Sequence, residues 1–301
     1  MKLNIDGYYE IGKDHKVCED YVLMEKMDDN FCWGVVCDGC SGSISTDIGA
    51  RIIAHHIKKL IRVLYRANPR FFEVDPKILL PIFEKNLIPE EAEVTAKMMA
   101  LDPTCLNVSI LIVFALKKED KIIYSVIGWG DGSVIIKKNE KIIIKSINAP
   151  FSQYGEAPYY LRYYRDPKMF EKYEDFFPGG MEICTITMNT KTRIFSDDRE
   201  KRPCNCPTAL QITSDKTDPV LSISISSDGL KTYNTNIGNG QGSLVWAAER
   251  AVDYKSVAGV FVERNMKFFS KMDRKDGINH YDDVSMVTVV EIPEEVNEPK
   301  S

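Results

Sequence analysis

Acidic residues gather in this chain where apolar, strand-like runs begin or end. Glu19-Asp20 precedes the run from Tyr21, and Asp38-Gly39 closes the run from Phe31 to Cys37. Asp131-Gly132 follows Val126-Ile127-Gly128-Trp129-Gly130, Asp228-Gly229 follows Ile223-Ser224-Ile225-Ser226-Ser227, and Asp282-Asp283 precedes the run from Val284 to Val290. A single aspartate beside glycine is most often a turn former, because its side chain caps its own backbone and glycine accepts positive φ. Five such places say more. Carboxylates gathered at one edge of packed sheets repel one another unless cations neutralise them, and hard oxygen ligands suit Mg2+ or Mn2+.

The other chemistry-bearing residues have plainer readings. Of the eight cysteines, Cys32, Cys37, Cys105 and Cys184 lie inside apolar runs, where a reduced thiol behaves as a small core residue. The pairs Cys37/Cys40 and Cys204/Cys206 have ligand-like spacing but lie far apart in sequence, so a zinc site is the lesser reading. His55 and His56 are neighbours on a helical stretch and cannot face one ligand. Strands, not a helix, follow Gly128-Trp129-Gly130-Asp131-Gly132, which counts against a dinucleotide loop. Gly238-Asn239-Gly240-Gln241-Gly242 precedes a helix but lacks the Lys-Ser/Thr of a nucleotide P-loop, and reads as a mobile loop.

The elements that must position these residues follow from hydrophobic periodicity. Strands are predicted at Asp20 to Lys26 and Phe31 to Asp38, then a helix from Thr46 to about Arg66 with Ser45 or Thr46 as its cap. Ile48, Ile52, Ile53, Ile57, Leu60, Ile61 and Leu64 form its apolar face. Shorter helices are predicted at Pro76 to Leu87 and Pro89 to Leu101. Four strand-like runs follow: Leu106 to Leu116, Lys121 to Ile127, Ser133 to Lys137 and Lys141 to Ser146. Their hairpin-sized turns, such as Lys117 to Asp120, make them antiparallel neighbours and count against a doubly wound parallel sheet. Val220 to Ser227 and Val284 to Ile292 are further strands. Between them Ser243 to about Asp273 has helical periodicity, broken near Gly259. Lys191 to Cys206 is charged and turn-rich and reads as a surface loop. Residues 294–301 read as a polar tail, leaving 1–293 as one domain.

The chain has 301 residues, 44% of them apolar, enough for a sizeable core, and a formal net charge of −5. That balance argues against gripping nucleic acid or an anionic membrane, both of which need a basic surface. No apolar run approaches a membrane span, and the first residues lack the apolar stretch of a signal peptide. A cytoplasmic, monomeric protein is the expectation.

The acidic pattern resembles the metal-dependent Ser/Thr phosphatases of the protein phosphatase 2C type. The matching stretches are Glu19-Asp20, Val35-Val36-Cys37-Asp38-Gly39 with Gly42, Gly130-Asp131-Gly132, Ser227-Asp228-Gly229-Leu230 and Asp282-Asp283-Val284-Ser285, in the family's order. The resemblance implies an α+β fold, a four-layer αββα sandwich of two antiparallel β-sheets flanked by helices. It also implies a centre of two Mg2+ or Mn2+ ions, with a weaker third. Asp38 would bridge the two ions, and the Gly39 carbonyl would complete one coordination sphere. Asp228 and Asp282 would hold the first ion, and Glu19 would reach the second through water. Asp20, beside Glu19, counts with the metal set, and Asp131 would serve the third ion. Asp38, Asp228 and Asp282 are the implied catalytic residues, and the implied reaction is hydrolysis of phosphoserine or phosphothreonine by a metal-bridging hydroxide.

Three departures from the family pattern stand out. His15 replaces a phosphate-gripping arginine and can donate only one hydrogen bond in that direction. Cys40 replaces a histidine proposed as general acid, and a thiol beside two cations is a poor proton donor to a leaving group; His280 is a second candidate donor. Thr232 replaces a carboxylate associated with the third ion. From Phe151 to Phe177, ten of 27 residues are aromatic, with Arg162, Arg165, Lys168 and Lys172 among them. This stretch is either a satellite core or a flap at about 151–180 that borders the metal site and receives a phosphorylated protein, with Arg162 or Arg165 gripping phosphate. The alternative function is a pseudophosphatase that binds or regulates without turnover.

Overall fold

Residues 31–37, Phe-Cys-Trp-Gly-Val-Val-Cys, offer no polar side chain to solvent, so both faces of that strand must be covered. The computed structural model, which describes residues 2–86, 88–153, 155–165, 167–234, 241–275 and 277–292, covers them with a second sheet on one side and helices on the other. The strands are β1 (Lys2–Glu10), β2 (Tyr21–Lys26), β3 (Phe31–Gly39), β4 (Val108–Lys118), β5 (Lys121–Trp129), β6 (Gly132–Lys138) and β7 (Lys141–Asn148). They continue with β8 (Phe151–Ser152), β9 (Gly155–Glu156), β10 (Met181–Asn189), β11 (Phe195–Arg202), β12 (Thr208–Ser214), β13 (Val220–Ser226) and β14 (Val284–Ile292). The helices are α1 (Thr46–Ala67), α2 (Pro76–Asn86), α3 (Ile88–Met98), α4 (Pro167–Phe176), α5 (Gln241–Ala251) and α6 (Phe261–Lys275).

A five-stranded antiparallel sheet, β12-β5-β4-β3-β2, faces a seven-stranded one, β1-β14-β13-β6-β7-β10-β11. Val36, Val113, Val126, Ile223, Val287 and Val289 fill the space between them. On the outer face of the smaller sheet, Ile53, Ile57 and Ile61 of α1 pack with Leu79 and Phe83 of α2 against Trp33 and Phe114. On the outer face of the larger sheet, Ala247 of α5 and Met266 of α6 pack against Ile144, Ile186 and Met286. The molecule is therefore the expected α+β four-layer αββα sandwich. Each fully buried Leu, Ile, Val or Phe contributes about 1.5–3 kcal/mol. Among the described residues, no helix is long and apolar enough to cross a membrane.

The structure holds strands that the sequence reading did not give, β1, β10, β11 and β12 among them, and breaks the helical zone near Gly259 as expected. β1 is a strand before the first one predicted; its polar residues hide the pattern, because Asp6 is buried and accepts hydrogen bonds from Val262 N (2.6 Å) and Glu263 N (3.1 Å), capping α6. The expected surface loop from Lys191 contains β11, an edge strand whose backbone pairs with β10 while almost all its side chains are solvent-exposed. Charged side chains are how an exposed sheet edge avoids further pairing. The helical zone from Ser243 is two helices, α5 and α6, separated around Gly259 at φ +61°. The cap of α1 is Ser45, which sits in the left-handed region without a side-chain bond. The expected loop around Gly238 to Gly240 and the tail from 294 lie outside the described residues.

Candidate metal centre

Strand ends from both sheets deliver the acidic residues to one end of the sandwich. Asp38 stands near the end of β3, opposite Ser109 of β4. β5 belongs to the smaller sheet and β6 to the larger, so the chain crosses from one sheet to the other at Gly130-Asp131. Gly130 makes the crossing at φ +90°, where a Cβ would stand 2.4 Å from Ser109 Oγ; only glycine fits. Asp228 opens a 3₁₀ turn after β13, and Asp282 lies just ahead of β14. Asp38, Asp131, Asp228 and Asp282 line a single cavity of about 280 Å³, together with Gly39, Cys40, Ser109, Glu156 and Tyr160. Ser109 Oγ donates to Asp131 Oδ1 at 2.6 Å.

Burial and mutual repulsion govern the charge of this cluster. Burial, then the charges of Asp20, Asp228, Asp131 and Asp282, push the Asp38 carboxyl well above the usual range. Burial and the Asp228 charge raise Asp131 to about 6, with the Lys231 ammonium and the Ser109 hydrogen bond opposing. Burial raises Asp228, against Lys231, and raises Asp282, against the Asp283 amide and His15. Asp20 is 1% exposed, and neither of its carboxylate oxygens has an aligned hydrogen bond, although the Ser227 and Ser285 hydroxyls are close by. Burial lifts it to about 7.

No family model matches the chain, and no curated protein does. Solved structures match it over nearly its whole length. A bacterial serine phosphatase is similar over 98% of this chain and 100% of its own, with a TM-score of 0.52 at 13% identity. The serine-threonine phosphatase 2C from Toxoplasma gondii is similar over 96% of this chain and 95% of its own, with a TM-score of 0.51 at 11% identity. The fold is that of the protein phosphatase 2C type. A C. elegans sex determining protein shares it, with a TM-score of 0.55 at 14% identity over 97% of this chain and 66% of that chain.

Within this phosphatase 2C fold, the residues singled out from sequence separate into groups. Asp38, Gly39, Cys40, Asp131, Asp228 and Asp282 share the cavity, and Asp20 lies buried among them, its charge felt by Asp38. Glu19 sits at its flank: Thr46 Oγ1 donates to Glu19 Oε1 at 2.7 Å, and the Glu19 carbonyl lies 3.0 Å from where a Gly39 Cβ would be. His15 is not free to grip phosphate. Its Nε2 lies 3.3 Å from Asp282 Oδ1 and its Nδ1 3.0 Å from Asp283 Oδ2, the latter not aligned as a hydrogen bond. Burial opposes its charge, but Asp283, Asp282 and Glu19 together raise its pKa. His280 does not face the cavity either. Its Nδ1 donates to the Asp282 carbonyl at 2.8 Å, and its ring lines a different cavity with Ile11, Lys13 and Tyr233. The Arg162 guanidinium donates to Asn107 Oδ1 at 3.0 Å, and Asn107 Nδ2 donates to Ser43 Oγ at 3.0 Å, so it braces the 40–43 loop. The Arg165 side chain lies outside the described residues.

The aromatic stretch contributes to two places. Tyr159, Tyr173 and Cys204 form a satellite core with Tyr163, Tyr164, Phe170 and Phe177, while Glu156, Pro158 and Tyr160 of the same stretch wall the acidic cavity. With Cys204 in that core and Cys37 in another, the zinc reading falls. Sequence reasoning passed over Ser109, Glu156 and Lys231, and named Asp283 only as a neighbour of Asp282, without a role of its own. Ser109 left a signal, as the single hydroxyl in the apolar run Val108 to Leu116. Asp283 accepts from Gly12 N at 2.7 Å and Glu19 N at 2.5 Å, tying the loop before β2 to the start of β14.

The donor set fits hard divalent cations. All its side-chain donors are oxygens, and the two unbonded oxygens of Asp20, buried among repelling carboxylates, are what a cation would satisfy. The carboxylates stand around the cavity; among the described residues, no group of three or more His, Cys, Asp or Glu side chains is closed to the arrangement of an ion site.

Proposed function

We propose that the chain is a metal-dependent phosphatase that hydrolyses phosphoserine and phosphothreonine monoesters of proteins. The observation that carries this reading is the convergence of Asp38, Asp131, Asp228 and Asp282, from both sheets, on one cavity walled by an aromatic flap. Asp38, Asp228 and Asp282, with Asp20, Glu19 and the Gly39 carbonyl, would hold two Mg2+ or Mn2+ ions, and Asp131 a weaker third. What such ions supply when bound is an acidified water and screening of the phosphoryl charge.

The chain's own groups do the rest. Burial and mutual repulsion raise the carboxyls of both Asp38 and Asp228, so cation binding there competes with protons. Ser109 and Thr46 fix the carboxylates of Asp131 and Glu19 by direct hydrogen bonds. Tyr160 and Pro158 keep bulk water from one side of the cavity, and Glu156 brings a further carboxylate from the flap. Arg162, anchored on Asn107 beside the 40–43 loop, supplies positive charge for a phosphate oxygen. One observation favours the second reading, a catalytically weak pseudophosphatase: His15 is engaged by two aspartates and unavailable to phosphate.

Hydrolysis of p-nitrophenyl phosphate and of a phosphothreonine peptide, with EDTA, Mg2+ or Mn2+, distinguishes the two. Turnover that needs metal and vanishes in Asp228→Asn is expected, with the peptide preferred. Folded protein that turns over neither substrate with any metal would leave the pseudophosphatase.

A further inference from the structure

We propose that Thr232 is a positioning residue that sets the metal-binding carboxylate of Asp282 against that of Asp228. The inference rests on the metal-centre reading above and concerns how this chain holds that centre in register. Asp228 and Asp282 come from separate strand ends, more than fifty residues apart in sequence, so something must fix their separation. The Thr232 hydroxyl is placed to do so. It donates to the Gly229 carbonyl at 2.8 Å, inside the turn that Asp228 opens. The same oxygen accepts from Tyr281 N and Asp282 N, each at 3.2 Å. One side-chain oxygen therefore uses its donor and both acceptor positions to join two ligand-bearing segments.

The surrounding backbone makes this tie a clamp rather than an isolated contact. Tyr233 forms a bridge with His280, and Asn234 N donates to Asn279 O at 2.8 Å, so residues 232–234 run antiparallel to 279–282. At Gly229 a Cβ would lie 1.8 Å from the Asp283 carbonyl, which shows how closely the two segments meet. His280 Nδ1 holds the Asp282 carbonyl from the other side. The Asp282 peptide is thus gripped at its N–H by Thr232 and at its C=O by His280, leaving the carboxylate to face the cavity. Valine at 232 would keep the side-chain shape and remove the whole tie. Serine would keep the tie and remove only a methyl group.

The test compares wild type, Thr232→Val and Thr232→Ser in Mn2+ titrations by calorimetry, beside amide exchange of metal-free protein. In Thr232→Val, Mn2+ affinity should fall by about 10- to 100-fold, the loss typical when a ligand's supporting partner is removed. Activity at saturating Mn2+ should return close to the wild-type level. Because the Tyr281 and Asp282 amides are at most partly buried, water can replace the lost bonds, and the melting temperature should fall less than for a buried cap such as Asp283. The Tyr281 and Asp282 amides should exchange about tenfold faster, the size of one lost hydrogen bond. Thr232→Ser should restore both readouts. Wild-type Mn2+ affinity in Thr232→Val would overturn the proposal. Wild-type protein that takes up no Mn2+ would overturn the metal-centre reading and this inference with it, a result distinct from equal binding by wild type and variant.

Discussion

Ser109 shows how much one small side chain decides at this site. It stands opposite Asp38 in the β3–β4 ladder, and its hydroxyl is used on Asp131, across the gap between the sheets. Ser109→Ala would leave the strand intact and free the Asp131 carboxylate to rotate. Because that hydrogen bond favours the ionised carboxylate, its loss also makes Asp131 harder to deprotonate. The expected outcome is a Mg2+ requirement raised by about 10-fold or more, with little loss of activity at saturating metal; a Mg2+ titration of p-nitrophenyl phosphate turnover reads it. The acidic residues themselves were legible in the sequence, since aspartate at a strand end beside glycine leaves a local mark. Lys231 and Glu156 were not, and Ser109 left only its lone hydroxyl in an apolar run, because which distant aspartate each one faces is not written locally. His15 was singled out for its place in the family pattern and His280 for its nearness to Asp282, and neither kind of signal says which way a ring turns.

At the scale of elements, the loop before β2 and the start of β14 behave as one unit through Asp283. Its two oxygens take the Gly12 and Glu19 amides, and the residue is 2% exposed. Asp283→Ala would strand two backbone donors, each costing about 1–3 kcal/mol when left without a partner. A stability loss of about 2–6 kcal/mol is expected in urea unfolding, and about half of that for Asp283→Asn, whose amide keeps one acceptor. Loss within 0.5 kcal/mol, the range of ordinary surface substitutions, would show that these bonds are replaced by water. Elements with strong patterns, such as α1 with its isoleucine face and β14 with its β-branched run, were legible from sequence almost to the residue. β1 and β11 were not. β1 carries its buried polar group on the core side to cap a helix 256 positions away, and β11 is held by backbone pairing while its side chains face water. Neither leaves a hydrophobic period to read.

For the whole molecule, the buried carboxylates couple stability to pH. Asp131 and Asp20 have folded values near 6 and 7 against an ordinary 3.8, and Asp38 is raised well above it too. The folded state therefore binds these protons more tightly than the unfolded state, so their contribution is full below about pH 4 and is lost as pH rises through 6 and 7. In EDTA the melting temperature should fall between pH 5 and 8. Mn2+ competes with protons for the same oxygens, so its stabilisation should grow over that interval. Asp20→Asn, neutral at every pH, should flatten the EDTA profile, and an unchanged slope would remove Asp20 as its source. The order of the larger sheet carries a consequence for how the protein is made. β14 lies between β1 and β13, and β1 pairs with β14. β1 must therefore wait for β14 before it can pair. Until Asp282 is synthesised the set of carboxylates is incomplete, and until residue 292 has followed it β1 lacks its ladder partner, so the acidic cavity can assemble only after translation has passed that point.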